Sequence, residues 1–260
     1  MRADLFLYTH GLAKSRTQAA ALISTGVTVN GKRLTKPAED IPDFISPDDI
    51  AILCVPKFVS RGGLKLDRAL DAFGISVKWS HAVDIGASTG GFTDCLLQRG
   101  AERVYAVDVG HGQLDASLIA DGRVVNMEGV NARTMTKELI GEQCPIAVSD
   151  ISFISQKLIF DAVHDILTDG GIFVSLIKPQ FEAGPEHVGK GGIVKDKKVH
   201  ERVISSVFHE ATAHSLEPTA LIRSPIEGGD GNREYLAEFI KKDNAVCRIG
   251  ADKIKECVYG

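Results

Sequence analysis

Val83-Asp84-Ile85-Gly86-Ala87-Ser88-Thr89-Gly90-Gly91-Phe92 decides how the chain is read. A short apolar strand, Ala82–Gly86, runs into glycines, and a helix follows through Gln98. Glycines at such a junction let a ligand approach the backbone at a helix N-terminus. The spacing G-x-x-x-G-G departs from the G-x-G-x-x-G of nicotinamide-binding proteins. Downstream, Tyr105-Ala106-Val107-Asp108 ends a second strand on a carboxylate, placed to accept hydrogen bonds from ribose hydroxyls.

Outward from this point, strands and helices alternate. Further strands are expected at Val104–Val109, Val124–Met127, Ile146–Asp150, Gly171–Lys178, Thr219–Arg223 and Tyr235–Ile240. Helices are expected at Leu158–Leu167 and Val199–His214, and the last two strands suit an antiparallel hairpin at the sheet's edge. The rhythm predicts an α/β fold: a Rossmann-like parallel sheet over residues 64–242, helices on both faces, and a tail over 243–260. Ligands of such sheets sit beyond the carboxyl ends of the strands. Asp150 and Lys178 fall there, Lys65 precedes the sheet, and Glu234 opens the last strand. Taken singly, each of these charges could equally cap a strand on the surface. Gly184–Lys190 fits the start of a phosphate-binding loop, but Gly191 stands where Ser or Thr would hold magnesium. A mobile basic loop near a substrate is the better expectation, since Lys190, Lys195, Lys197 and Lys198 crowd it.

The N-terminal part differs. Residues 1–56 read as a small α+β unit, with 57–63 as a linker. Leu5, Leu7, Tyr8 and Leu12 suggest a first helix. Ser15 and Gln18 have capping-box form before the apolar run Ala19–Ile23. Val27-Thr28-Val29, Asn30-Gly31 and Lys32-Arg33-Leu34 signal a hairpin, and Ile50–Val55 a closing strand. Lys14, Arg16, Lys32, Arg33 and Lys36 carry the only charges between Leu5 and Ala38. Solvated faces usually mix signs, so this unit points to phosphate contact even though the whole chain has net charge −4.

Composition narrows the classes. The chain is 44% hydrophobic, enough for one large core and one small one. No run approaches ~18 apolar residues, so stable membrane association is not expected. The start is too polar for a signal peptide. Cys54, Cys95, Cys144, Cys247 and Cys257 are scattered, with no C-x-x-C pair, so neither a metal site nor a disulfide framework is expected and a cytoplasmic location fits.

The string GLAKSRTQAAALISTGVTVNGKRLTKP resembles the RNA-binding domain of small-subunit ribosomal protein S-four. Lys65, Asp150, Lys178 and Glu234 together resemble the Lys-Asp-Lys-Glu tetrad of the FtsJ-like ribose 2′-O-methyltransferases. SRGGLKL, VDIGASTGGFTD, YAVDVGHGQL, SDISFIS, IKPQFEAG, GKGGIVKD and GNREYL resemble one family throughout, the TlyA family of bacterial ribosomal RNA 2′-O-methyltransferases, some of which carry the name haemolysin. The resemblance covers roughly residues 1–242. It implies S-adenosylmethionine (S-adenosyl-L-methionine) as methyl donor and a cytidine ribose of 23S or 16S rRNA, or both, as acceptor, with ribosomal RNA or subunits as partners. The short N-terminus leans toward large-subunit RNA.

By the resemblance, Lys178 is the base, Asp150 positions it, and Lys65 and Glu234 orient the hydroxyl. A lysine serves as base where neighbours and burial favour its amine form. Asp84, Gly86, Ser88, Gly90 and Phe92 would surround the donor's methionine part, Asp108 its ribose, and Val130 and Asn131 its adenine. Gly129-Val130 stands where the family usually has Arg-Thr. Two other classes stay open at this point: a membrane-lytic haemolysin, and a ribosome-binding module without catalysis.

Overall fold

The computed structural model describes residues 1–13, 15–42, 44–53, 56–228 and 231–260. The chain forms two compact units, Met1–Arg61 and Gly62–Gly260. Lys14, Val55 and Cys54, named above for RNA contact, the closing strand and the cysteine pattern, lie outside the described residues.

The first unit contains helices α1 (Ala3–Thr9) and α2 (Arg16–Gly26) and strands β1 (Val27–Val29), β2 (Lys32–Arg33) and β3 (Ile50–Ile52). The strand order is β2-β1-β3, all antiparallel. Ser15 caps α2 by accepting a hydrogen bond from the Gln18 N–H at 3.1 Å. Val29 pairs with Lys32 across a two-residue turn. Asn30 and Gly31 both have positive φ there, as a type I′ turn requires. The buried face of α1 is Ala3, Phe6 and Leu7, whereas Tyr8 is exposed. The apolar period was therefore expected one step out of phase: Ala3 and Phe6 meet Leu22, Ile23, Leu34 and Ile41 in the small core.

The second unit begins with α3 (Gly62–Phe73), β4 (His81–Ile85), α4 (Gly91–Gln98), β5 (Arg103–Asp108), α5 (Ala116–Ile119), β6 (Val124–Glu128), α6 (Lys137–Ile140) and β7 (Cys144–Ser149). It continues with α7 (Phe160–Ile166), β8 (Leu167–Ile177), α8 (Pro179–Glu182), α9 (Lys197–Ala213), β9 (Leu216–Arg223), β10 (Tyr235–Lys241) and α10 (Ala251–Tyr259). Among the described residues the sheet has seven strands, ordered β6-β5-β4-β7-β8-β10-β9. From β6 to β8 neighbours are parallel, while β10 runs antiparallel to both β8 and β9. The last two strands are antiparallel, with β10 inserted between β8 and the edge strand β9.

Alternation along the strands sends side chains to two helical layers. Val83, Ile85, Val107, Ala147, Phe173, Tyr235 and Phe239 join one core with α7, α9 and α10. The intervening residues Ala82, Ala106, Val148, Val174 and Leu236 are also buried. On that side α3 and α4 pack together, α3 against β10 and α4 against β5.

Two expectations change here. Gly62 and Gly63 are the first turn of α3 rather than linker; Leu66, Ala69 and Leu70 bury one stripe of this helix, which compensates for the poor helix propensity of its opening glycines. The segment expected as a tail folds into α10, with Ile254 and Val258 buried in the main core against α9 and β9. Replacing Ile254 with Ala should cost about 2–4 kcal/mol, the usual loss for deleting a buried aliphatic side chain. Urea unfolding followed by circular dichroism measures this, and a loss below about 0.5 kcal/mol, normal for a surface change, would return α10 to the status of a loose tail.

Candidate active site

Two adjoining clefts open at the carboxyl ends of β4, β5, β7 and β8. The larger is about 460 Å³ and is lined by Gly86, Ser88, Asp108, Gln113 and Asn131, by Arg133, and by Asp150 to Ile154. That volume suits a small-molecule ligand. The smaller, about 370 Å³, is lined by Lys65, Lys178, Glu234, Gln180, Phe181, Val188 and Gly192. Ser152 and Phe153 line both.

The floor of the larger cleft comes from the β4–α4 junction. Gly86 has φ +81° and lies against Ile151: an added Cβ would sit 3.1 Å from the Ile151 side chain and 3.3 Å from its backbone. Only glycine lets the two strand ends come this close. Asp108 is clamped by two backbone N–H donors, Ser88 at 2.8 Å and Gly110 at 2.7 Å. Its oxygens keep second lone pairs for ligand hydroxyls.

Asp84 lies beneath rather than in the cleft. It is fully buried, and Thr93 Oγ1 donates to its Oδ2 at 2.7 Å while Oδ1 has no partner. Burial pushes its carboxyl up to about 7. Phe92 is likewise buried, and Gly90 caps α4 in the left-handed conformation. Val130 packs against the main core, with its N–H bonded to the Asp108 carbonyl. Of the eight residues expected around the donor, Gly86, Ser88, Asp108 and Asn131 therefore line the cleft; Asp84, Gly90, Phe92 and Val130 do not. The sequence places Asp84 and Phe92 in the right motif, but strand and helix periodicity turn both side chains inward.

The tetrad forms two ion pairs. Lys65 Nζ of α3 donates to Glu234 Oε2 at 2.6 Å, with both side chains buried. Gly228 lies so close to Glu234 that a Cβ there would fall 2.6 Å from its Oε1. Lys178 Nζ lies 2.6 Å from Asp150 Oδ1, an ion-pair distance without hydrogen-bond alignment. Lys178 also donates to Ser152 Oγ at 2.8 Å and approaches the Asp150 carbonyl at 3.3 Å. β8 ends at Ile177, Lys178 is the N-cap of α8, and Pro179 opens that helix. Glu182 accepts from Ser155 Oγ at 2.6 Å and from the Gln156 N–H at 2.8 Å, tying α8 to the segment after β7. Burial pushes the Glu182 carboxyl up.

Sequence reasoning did not assign Ser152, Phe153, Phe181 or Gln113. Phe153 has positive φ and a ring 88% exposed, with its centroid 5.1 Å from that of Phe181. The string Asp150-Ile151-Ser152-Phe153-Ile154 carries no local signal that Phe153 is the apolar residue left exposed, because Ile151 and Ile154 flank it.

In the first unit, Lys32, Arg33 and Lys36 are exposed and form no ion pair among the described residues. Arg16 is less free than expected: it pairs with Asp4 at 2.7 Å. Hydrogen bonds from Arg2 and Arg16 hold the Asp4 carboxyl well below the usual carboxylate range.

A doubly wound sheet with two adjoining clefts at its strand ends, and lysine–carboxylate pairs around them, fits a methyltransferase of the Rossmann-like class. The FtsJ-like methyltransferase family matches residues 58–241 and the S4 domain residues 1–42. The chain belongs to the FtsJ-like methyltransferases and, within them, to the TlyA family. It is 43% identical over 242 residues to Hemolysin A of Brachyspira hyodysenteriae, covering 92% of this chain and all of that one. It is 42% identical over 236 residues to the 16S/23S rRNA (cytidine-2′-O)-methyltransferase TlyA of Mycobacterium tuberculosis, covering 90% and 88% of the two chains. A solved structure named as a hemolysin, from Streptococcus thermophilus, superposes with TM-score 0.80 at 42% identity, covering 100% of this chain and 94% of that one.

Asp84 gives a pH test. Its folded-state value is raised, so the native protein holds a proton that the unfolded chain releases, and stability falls as pH rises from about 4 to about 7. Relative to wild type, Asp84→Asn should gain up to about 1.4 kcal/mol per pH unit across that window. Thermal unfolding of both proteins at pH 4.5, 5.5, 6.5 and 8 reads this, and a difference constant with pH would mean that Asp84 is ionised throughout.

Proposed function

We propose that this chain transfers a methyl group from S-adenosylmethionine to the 2′-hydroxyl of a cytidine in ribosomal RNA. One observation carries the reading: Lys178 and Asp150 stand at the junction of a nucleoside-sized cleft and a smaller cleft that holds the Lys65–Glu234 pair. Gly86, Ser88, Asp108 and Asn131 would hold the donor, with Asp108 toward its ribose. Asp108, clamped by the Ser88 and Gly110 N–H groups, keeps free lone pairs on the cleft side, which fits a site that accepts ribose hydroxyls. Asp84, Gly90, Phe92 and Val130 would support this floor from behind.

When bound, the donor supplies an electrophilic methyl on a cationic sulfur. A ribose hydroxyl is a weak nucleophile until its proton is shared or removed. Lys178 Nζ takes that proton as the oxygen forms its bond to the methyl, after the ammonium that rests beside Asp150 has passed its own proton to solvent. Asp150 and Ser152 fix the position of the amine. Lys65 and Glu234 orient the ribose, one as donor and one as acceptor. The rings of Phe153 and Phe181 offer faces on which an unstacked base can rest.

Exposed Lys32, Arg33 and Lys36 of the S4 unit take RNA phosphates, with Arg16 secondary because of Asp4. Ribosomal RNA or a ribosomal subunit is the partner, and the cytoplasm the expected location. No observation favours lysis: no helix among the described residues is long and apolar enough to cross a membrane.

The test is transfer of labelled methyl from S-adenosylmethionine to unmodified 50S and 30S subunits. Wild type should label a cytidine ribose, and Lys178→Ala should be slower by about 10²–10⁴-fold, the usual worth of a general base, while still binding the donor. A wild-type protein that binds donor but labels neither subunit nor their free RNA would sink the assignment.

A further inference from the structure

Within the stretch from Gly184 to Lys198 that the sequence suggests as a mobile basic loop, the segment Gly189–Val194 is held by buried side chains. It closes on itself through the Gly189 N–H to the Ile193 carbonyl at 2.9 Å and the Gly192 N–H to the Gly189 carbonyl at 3.1 Å. Asn232, 2% exposed, uses both ends of its amide on the loop: Oδ1 accepts from the Val194 N–H at 3.1 Å and Nδ2 donates to the Gly192 carbonyl at 2.8 Å. His200 of α9 is equally buried. Its Nε2 lies 2.8 Å from the Val194 carbonyl and its Nδ1 lies 2.8 Å from Tyr235 Oη. A carbonyl can only accept, so Nε2 carries the proton and Nδ1 accepts from the tyrosine. Burial lowers the His200 pKa, in keeping with this neutral ring.

Both staples lead to the segment that carries Glu234, since Asn232 and Tyr235 flank it. Val188 and Gly192 line the acceptor cleft. Between them, at the apex, Lys190 is exposed and forms no ion pair among the described residues. The two lysines inside the cleft are already paired with carboxylates. An RNA strand entering the cleft brings a phosphodiester that neither of them is free to neutralise.

We propose that Lys190 binds the RNA phosphodiester flanking the nucleotide in the acceptor cleft, and that His200 and Asn232 are positioning residues that hold loop 189–194 for this contact. The proposal rests on the reading of the cleft as an RNA site. It explains why so glycine-rich a loop is tied at both backbone groups of Val194: a lysine on a free loop would lose the contact's free energy to ordering.

The full-length protein is titrated against unmodified 50S and 30S subunits over a salt series, with binding and methyl transfer read separately. Lys190→Ala should weaken subunit binding by roughly five- to tenfold and reduce the slope of log K against log salt by about 0.7–0.9, one phosphate contact. Lys190→Arg should keep the slope. His200→Leu should weaken binding to a similar degree, His200→Gln, which keeps a donor for Val194, should restore most of it, and Asn232→Ala provides a second break in the staple. The Lys190→Ala/His200→Leu double variant should bind no worse than about twofold below either single, because both remove one contact. An unchanged slope for Lys190→Ala, or losses that multiply in the double variant, overturns the proposal. If the Lys190 variants show the expected slopes but wild type transfers no methyl, the reading of the reaction fails and the phosphate contact stands; if wild type transfers methyl and the Lys190→Ala slope is unchanged, the reverse holds.

Discussion

Two lysine ammonium groups, each less than a tenth exposed, face one small cleft, and each is tolerated there because a carboxylate lies 2.6 Å away. Removing charge from water costs several kcal/mol per ion unless a partner and further hydrogen bonds offset it. That constraint dictates the convergence of elements far apart in sequence. Lys65 comes from α3, Asp150 from the end of β7, Lys178 from the end of β8, and Glu234 from just before β10. Removing one partner of either pair leaves the other charge with its desolvation uncompensated, and the Lys65–Glu234 pair ties α3 to the segment that opens β10.

The sheet order follows the same need. A parallel β4–β7–β8 run brings three carboxyl ends to one edge, and the antiparallel β10 delivers its own amino end to that edge. An all-parallel continuation would have placed Glu234 at the opposite end of the sheet. The antiparallel insertion is thus part of the site's construction. The pairing of Tyr235 with Ile177 sets Glu234 beside Lys178 in register.

Much of this was legible in the sequence because it depended on period and punctuation. Strand alternation, the glycines after Ile85 and the acid closing β5 each have a local cause, and the hairpin at Asn30-Gly31 has one too. What escaped depended on partners distant in the chain. Gly62-Gly63 reads locally as linker, and only packing against α4 and β10 makes it helix. Arg16 reads as a free cation until Asp4, twelve residues earlier, takes it. Asp84 and Phe92 sit in the expected motif, yet which side of a glycine turn a side chain faces is set by the sheet's second layer. Val194 has nothing in its own identity to show that His200 and Asn232 hold its backbone.

The distribution of unsatisfied groups shows where the molecule tolerates local cost. Among the described residues, the buried polar atoms without hydrogen-bond partners are Asp84 Oδ1, Ser149 Oγ, Gln156 Nε2 and Gln180 Oε1, together with Asp150 Oδ1, which has its ion pair with Lys178 instead. All belong to β4, β7 or the segments that follow β7 and β8, at the functional end of the sheet. At the other end, His81 and Tyr105 both satisfy Glu142. A fold selected for stability alone would distribute such deficits or remove them, since each costs about 1–3 kcal/mol. Away from those strand ends the packing is apolar: Phe160 of α7 and Phe208 of α9 are fully buried against Phe173 of β8 and Phe239 of β10. α10 completes that core through Ile254 and Val258, although it contributes nothing to the lining of either cleft.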